Sequence, residues 1–381
     1  MNVWNVYPVL HIFESSGSKS TGGVDTYIEI IQKYWQKKDK NAVMFLVIHN
    51  DEFTNILKNI GFKVFSISEE RSLYKKSIRY LRALINEIVK YQIKTIHSHG
   101  YKADYIGYLL KKKLTAKKRE PIWIVHCHGW INTGLINKFQ TWIDIKLLRG
   151  VDGIVIVCDY MRRILLANKI DEDKIYVIKN VVKPKKRSVK KAASQYRRII
   201  GVGRLSPEKR WDLFIEMVGR LRHLEYVEFI IYGEGKLKEP LQQQINRLGL
   251  SKKVKLAGYV REKEILYDNA DIMVICSDTE GIPFVLLEAM ERGIAVIATR
   301  VGGIPEIITD SENGLLVDVG NCEKMADSLE RLLMDDILRA NIIDNARKYL
   351  DNMSSNHNLV LELEQVYLKV SKLKFKSGGY T

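Results

Sequence analysis

Short apolar runs alternate with longer amphipathic segments along almost the whole chain, and that rhythm admits few folds. In the second half, apolar runs at 198–203, 227–232, 254–256, 272–276 and 295–298 are separated by helical patterns at 211–221, at 237–248 and from near Phe284 through Glu288. The first half repeats the scheme, with runs at 43–48, 63–67, 95–97, 122–126 and 153–157. Strands joined through helices are parallel, and a parallel sheet needs helices on both faces. The expected fold class is therefore α/β. A length of 381 residues exceeds one ordinary core and suggests two Rossmann-like parallel-sheet domains. The stretch Lys183-Pro184-Lys185-Lys186-Arg187-Ser188-Val189-Lys190-Lys191 has linker composition. The expected division is 1–182, a basic linker at 183–198, a second domain at 199–355 and a C-terminal helix within 356–381. The amphipathic spacing of 359–375 reads as a packed structural helix rather than a membrane contact. No repeat of fixed period is present.

The net charge of +16 is unevenly placed. Residues 1–182 carry 29 Lys and Arg against 17 Asp and Glu, and 183–198 carry eight bases and no acid. The remaining residues are slightly acidic, with 24 bases against 28 acids. Such a field suits an anionic partner, a nucleic acid or an acidic membrane surface, and equally a merely solvated face. No apolar run approaches the ~20 residues that span a bilayer, and residues 1–13 are too polar for a signal-peptide core. Four scattered cysteines, Cys127, Cys158, Cys276 and Cys322, fit a reducing cytoplasm, with Cys158 and Cys276 as strand-end packing residues.

Candidate site residues fall at strand ends, where open α/β sheets bind ligands. Glu280 and Glu288, with seven residues between them, bracket a turn containing Gly281 and Pro283 and a helix opening near Phe284. The first amides of that helix, around Pro283, Phe284 and Val285, make an anion site beside the positive end of the helix dipole. Glu280 lies near the reacting end of a ligand there, and Glu288 can take paired hydroxyls such as those of a ribose. Arg204 and Lys209 put two cations on one strand-end loop, a fork and a point charge that suit a diphosphate. Gly22 and Gly23, between the first strand and a helix through Ile28, Ile31 and Trp35, allow close backbone approach to a ligand. An ordinary flexible loop would look the same. The pairs His97/His99 and His126/His128 each close a strand with both rings on one side. No acid or cysteine at metal spacing accompanies them, which counts against zinc. The terminal histidines, His99 and His128, are expected to reach a bound hydroxyl or phosphate, and His97 and His126 to be satisfied interior residues. Gly233-Glu234-Gly235 resembles a nucleotide-loop turn. The missing Gly-x-Gly-x-x-Gly after the first strand, and the missing P-loop, speak against a dinucleotide dehydrogenase and a nucleoside triphosphatase.

Taken in order, Gly203-Arg204-Leu205-Ser206-Pro207-Glu208-Lys209, Tyr232-Gly233-Glu234-Gly235, Ala270-Asp271-Ile272, the stretch from Glu280 to Glu288, Gly302-Gly303-Ile304-Pro305-Glu306 and Asn313-Gly314-Leu315-Leu316-Val317 form an ordered motif set. With Gly22-Gly23 through Tyr27 and His128-Gly129, the chain resembles the retaining glycosyltransferases of family 4, over nearly its whole length. That resemblance implies the GT-B fold, two Rossmann-like domains facing across a cleft with a C-terminal helix crossing back to the first. It implies a nucleotide-diphosphate-sugar donor held mainly by the second domain, with Arg204 and Lys209 on the diphosphate, Glu288 on the ribose and Glu280 beside the sugar. Gly22 and Gly23 would close over the donor, and His128 would meet the sugar or acceptor. The implied reaction is metal-independent transfer with retention, giving an α-glycosidic bond, with no cofactor.

Three departures stand out. Lys179-Asn180-Val181-Val182-Lys183 replaces the family's Pro-Asn-Gly-Val-Asp, Cys158-Asp159 replaces Ser-Glu, and Ile282-Pro283 replaces Phe-Gly. The expected acceptor is a glycan or lipid-linked glycan, in cell-surface polysaccharide or glycoconjugate synthesis. The basic segments Lys111-Lys112-Lys113 and Lys117-Lys118-Arg119 suggest a peripheral position on the anionic inner face of the cytoplasmic membrane. A sugar-nucleotide epimerase on the same architecture is the enzymatic alternative. A nucleic-acid-binding protein is the alternative from charge alone, and it lacks a reading motif, so no nucleic acid is expected.

Overall fold

In the computed structural model, the described residues are 6–14, 23–48, 52–67, 73–129, 135–182 and 197–377. Their strands form two sheets, parallel at every pairing. The first contains β1 (Val9–Glu14), β2 (Val43–Ile48), β3 (Lys63–Ile67), β4 (Thr95–His99), β5 (Ile122–Cys127), β6 (Gly153–Ile156) and β7 (Ile175–Val177), in the order β3-β2-β1-β4-β5-β6-β7. The second contains β8 (Arg197–Val202), β9 (Val227–Tyr232), β10 (Val254–Gly258), β11 (Ile272–Ile275), β12 (Ala295–Thr299) and β13 (Leu315–Val317), in the order β10-β9-β8-β11-β12-β13.

Most neighbouring strands are joined through a helix that returns the chain to the starting edge, which makes them parallel. Every residue of β2, β5, β11 and β12 is buried, as double coverage by helices demands. In the second sheet, Trp211, Phe214 and Met217 of the helix Trp211–Arg220 pack with Phe229 and Ile231 of β9 in one apolar core. In both sheets the strand order reverses once, between β1 and β4 and between β8 and β11. Such switch points open a crevice beyond the strand ends because neighbouring connections leave to opposite faces.

The chain divides into two compact units. One holds Gly23–Ile178 with β1 and the helix Leu359–Ser377, and the other holds Lys179–Asn358. That last helix buries Leu359, Val360, Leu363, Val366, Tyr367 and Val370 at the spacing of a helical face. It is tied to the first unit by Tyr7 donating to Glu364 at 3.2 Å and by Lys374 donating to the Pro121 carbonyl at 2.9 Å. Its amphipathic face is thus structural. Among the described residues, no helix is long and apolar enough to cross a membrane. All four cysteines are buried and unbridged.

Candidate functional site

At the switch point of the second sheet, the loop after β8 and the loop after β11 meet. The backbone N–H of Asp278 donates to the carbonyl of Glu208 at 2.9 Å, joining the two loops directly. Lys209 Nζ donates to Glu280 Oε1 at 2.6 Å, and Ser277 Oγ donates to the same oxygen at 2.6 Å. Among the described residues, Glu280 Oε2 carries no hydrogen bond, so one carboxylate oxygen keeps its accepting capacity. The Lys209–Glu280 pair is mostly enclosed, with side chains 19 % and 10 % exposed. Arg210 joins the loops a second time, bonding Asp278 at 3.0 Å and its own neighbour Asp212 at 3.1 Å.

Arg204 is differently placed. Its guanidinium is half exposed and pairs with the buried Glu208 at 3.2 Å, while Ser206 Oγ holds the same Glu208 oxygen at 2.6 Å. The loop bearing it is rigid for two reasons. Trp211 Nε1 donates to the Arg204 carbonyl at 2.7 Å, and the Gly233 turn packs against the Gly203 carbonyl. Gly233 has φ +152°, and a Cβ there would lie 1.9 Å from that oxygen, so only glycine fits.

The Glu280 turn is held equally closely. Gly302, at φ +55°, backs onto it, and a Cβ at that position would fall 1.7 Å from the Glu280 carbonyl. Gly303 N–H donates to the Gly281 carbonyl at 3.1 Å. On the other side Asn180, buried at 3 % exposure, donates its side-chain amide to the Ile282 carbonyl at 2.7 Å. The turn then enters the helix Phe284–Arg292 with Pro283 as its N-cap and no side-chain cap. The amides of that first turn, around Phe284 and Val285, are left for an anion. Pro283 itself has no N–H, so its part is to set the entry angle.

Glu288 lies in the same helix at 9 % exposure. Tyr267 O–H donates to its Oε2 at 2.7 Å, and Lys263 Nζ donates to its Oε1. Burial together with the Glu288 carboxylate pushes the Tyr267 hydroxyl well above the usual phenol range, so it stays a donor. Glu288 is therefore a fixed, partnered carboxylate rather than a bare one. Lys263 and Tyr267 join the candidate site as partners of Glu288 that the sequence did not mark. They lie 25 and 21 residues upstream, with no motif of their own.

In the first unit, Gly22 lies outside the described residues, and Gly23 is the exposed first residue of the helix Gly23–Lys38. His128 follows β5 directly, half-buried, with Nε2 on His99 Nδ1 at 3.1 Å. His99 is itself buried and bonded on its other nitrogen to His11 Nδ1 at 3.0 Å. His99 was expected to reach a ligand, but both of its nitrogens are taken by neighbouring rings. His97 and His126 were expected to be satisfied. His97 Nδ1 does meet the Tyr367 hydroxyl at 2.6 Å, yet His97 Nε2 and both nitrogens of His126 are buried without a partner. The cause is crowding: His11 and His97 are register partners, as are His99 and His126, so the rings compete for one face of the sheet. Desolvation lowers the pKa of every member, of His11 to about 3. Of the expected headgroup-binding bases, Lys111 is turned inward to Asp152 at 2.8 Å, while Lys112, Lys113, Lys117, Lys118 and Arg119 are exposed.

Comparison with known proteins adds an independent line. The family model Glycosyltransferase Family 4 matches residues 21–186, and the model Glycosyl transferases group 1 matches residues 182–349. The poly(ribitol-phosphate) alpha-N-acetylglucosaminyltransferase of Staphylococcus aureus (strain COL) is 28% identical over 250 residues, 64% of this chain and 49% of that protein. An uncharacterized glycosyltransferase of Methanocaldococcus jannaschii is 26% identical over 351 residues, 86% of this chain and 95% of its own length. With three of the curated relatives it matches, the chain aligns over only about half of their length, 49%, 54% and 45%. Among solved structures, Anabaena HepE in complex with UDP-glucose superposes with a TM-score of 0.78 at 18% identity, covering 95% of this chain and 99% of that one. That likeness is one of fold.

Proposed function

This chain belongs to the family 4 and group 1 glycosyltransferases and has the GT-B fold, and from that premise we propose that it moves a sugar from a nucleotide-diphosphate-sugar to a glycan or lipid-linked glycan, with retention and an α-linkage. The observation that carries the reading is the Lys209–Glu280 pair at the second sheet's switch point, beside an uncapped helix start. A sugar diphosphate needs these parts together. Cations and amide donors take up the charge that grows on the departing diphosphate when the anomeric C–O bond breaks and its electron pair stays with the phosphate oxygen. Lys209, Arg204 and the amides of Phe284 and Val285 meet that need with fixed charge, so the proposed reaction uses no metal. Glu280, through its unoccupied Oε2, would face the transferring sugar, and Lys209 would shift from Glu280 toward phosphate as the donor binds. Glu288, oriented by Lys263 and Tyr267, would accept the two ribose hydroxyls. In the first unit, His128 would meet an acceptor hydroxyl.

The HepE complex makes uracil the first base to test, and the Staphylococcus relative adds N-acetylglucosamine to glucose as the first sugars. A thermal-shift screen of the full chain against UDP, UDP-glucose and UDP-N-acetylglucosamine reads binding directly, because a ligand of the folded state raises its melting point. Stabilisation by a nucleotide sugar is expected, and Arg204→Ala should weaken UDP and the sugar nucleotide alike by about tenfold, equivalent to ~1.4 kcal/mol. Equal affinities in wild type and variant would remove Arg204 from the diphosphate. Interconversion of the donor with no acceptor present would make the chain an epimerase instead.

We further propose that the protein works in the cytoplasm, docked on the inner membrane face through Lys112, Lys113, Lys117, Lys118 and Arg119. Each exposed base near an anionic surface is worth ~1 kcal/mol. Cosedimentation with phosphatidylserine vesicles should be strong at low salt and lost at high salt. Absence of binding at low salt would remove the membrane from the proposal.

A further inference from the structure

Five imidazoles, His11, His97, His99, His126 and His128, crowd one face of the first sheet beneath Tyr27 and Tyr367. Three of them are linked end to end. His11 Nδ1 lies 3.0 Å from His99 Nε2, and His99 Nδ1 lies 3.1 Å from His128 Nε2. The ring planes differ by only 21° and 23°, with centroids 5.3 Å and 5.4 Å apart. Each centroid separation exceeds its N···N distance by about two ring radii, which is the geometry of in-plane N–H···N bonds rather than of stacked faces.

We infer that His11, His99 and His128 form one tautomer-locked chain that presents a bare nitrogen, His128 Nδ1, to a ligand hydroxyl. A neutral imidazole has one N–H and one lone pair. His99 uses both nitrogens, so it donates with one and accepts with the other. The two bonds must then run in the same sense, and all three rings are Nδ1–H or all three are Nε2–H. His128 Nδ1 is buried and has no partner. In the first state it would be an orphaned N–H, and in the second an idle lone pair. Buried orphaned donors are the rarer of the two. The chain therefore rests in the all-Nε2–H state, with protons running from His128 to His99 to His11. His11 and His99 act as positioning residues that keep a lone pair, not an N–H, on His128 Nδ1; that nitrogen is enclosed, so a hydroxyl reaches it only once its cover shifts.

A cation is the competing reading of the same rings. One nitrogen from each of His99, His126 and His128 lies within 4.8 Å of the others, and the same holds for His11, His97 and His99. However, His126 and His128 stack face to face at 4.2 Å with planes 5° apart, and His97 and His99 at 4.4 Å and 28°. In-plane lone pairs on stacked rings run side by side and do not converge on one point, as tetrahedral zinc requires.

The hydroxyl assignment rests on the proposed function, whereas the tautomer chain does not, and the two fail separately. In full-length protein with ring-¹⁵N histidine, long-range ¹H–¹⁵N correlations should show Nε2–H on all three rings. His11→Phe removes the acceptor of His99 Nε2–H, and His99→Gln cuts the chain in the middle. Either should let His128 populate Nδ1–H, while His11→Gln, which can still accept, should restore the wild-type pattern. Nδ1–H on His128 in the wild type, or a His128 tautomer unmoved in both folded variants, overturns the chain. Saturable zinc binding that shifts these rings overturns it as well. Titration with methyl glucoside, which carries only sugar hydroxyls, should move the His128 Nδ1 resonance upfield as its lone pair is engaged. A resonance that stays in place ends the hydroxyl assignment and leaves the chain decided by the ligand-free spectra.

Discussion

At the scale of single residues, the central fact is that Lys209 and Glu280 are paired within a 2.6 Å bond. On the proposed reading, a diphosphate bound between them would exchange one anion for another at Lys209, and the cation would not be left buried and unpaired. Glu280→Gln keeps the shape and removes the charge. Its expected effect is a fall in the rate of sugar transfer of about 100-fold or more, with UDP affinity equal to or better than wild type because Lys209 is released. The check is initial-rate kinetics beside calorimetric UDP binding; unchanged turnover would refute the role of Glu280. Arg204, Lys209, Glu280 and Glu288 could be picked out as candidates from the sequence because they lie on the loops and the helix that follow two recognisable strands. Lys263 and Tyr267 were not, because nothing in the local pattern around 263–267 points at a carboxylate in a later helix. The histidines were legible as two pairs. Their union with His11 came from strand register, which spacing within one strand does not encode.

At the scale of elements, the turn 280–283 is held from three sides: by Lys209, by the Gly302-Gly303 turn and by Asn180. The segment 179–183 looked like an altered connection because it lacks the family's glycine and proline. It in fact supplies a buried amide that clamps the turn opening the helix Phe284–Arg292. Asn180→Ala should lower the stability of the folded protein by about 1–3 kcal/mol, as loss of a buried bond that orphans a carbonyl does. Urea denaturation checks the stability, and UDP affinity should fall with it if the turn presents the anion site. Ten strands were expected within two residues of where they lie, whereas β1, β7 and β13 were given no bounds in advance. In β4, the polar ending Ser98-His99 hid a strand that extends two residues beyond the expected 95–97.

At the scale of the whole molecule, both sheets and their helical cover follow from the βα alternation, and two-unit organisation from length. Acid sensitivity does not, since it depends on burial. The five clustered histidines all have pKa values lowered by desolvation, and the unfolded chain returns them to about 6.5. Between roughly pH 6.5 and 3 the unfolded state binds more protons, so stability falls as pH falls and is fully present above 6.5. His11 alone, with a folded value of about 3, should remove about 2 kcal/mol on going from pH 7 to pH 5. The buried Asp104, raised by desolvation and by Asp144, works in the opposite direction as a single group. Denaturation midpoints measured across pH 7 to 5 should drop steeply, and His11→Phe should flatten the slope. A flat wild-type profile would contradict the buried neutral cluster.

The helix Leu359–Ser377 belongs to the first unit although the whole of the second unit precedes it in the chain. On a ribosome, therefore, the unit whose strands are made first is completed last. Until residues near 377 have emerged, Tyr7, His97 and Asp152 lack the partners that Glu364, Tyr367 and Lys374 provide, whereas Lys179–Asn358 is contiguous and can close as soon as it is synthesised. The first sheet thus receives one of the helices packed on it only after the second unit has been made.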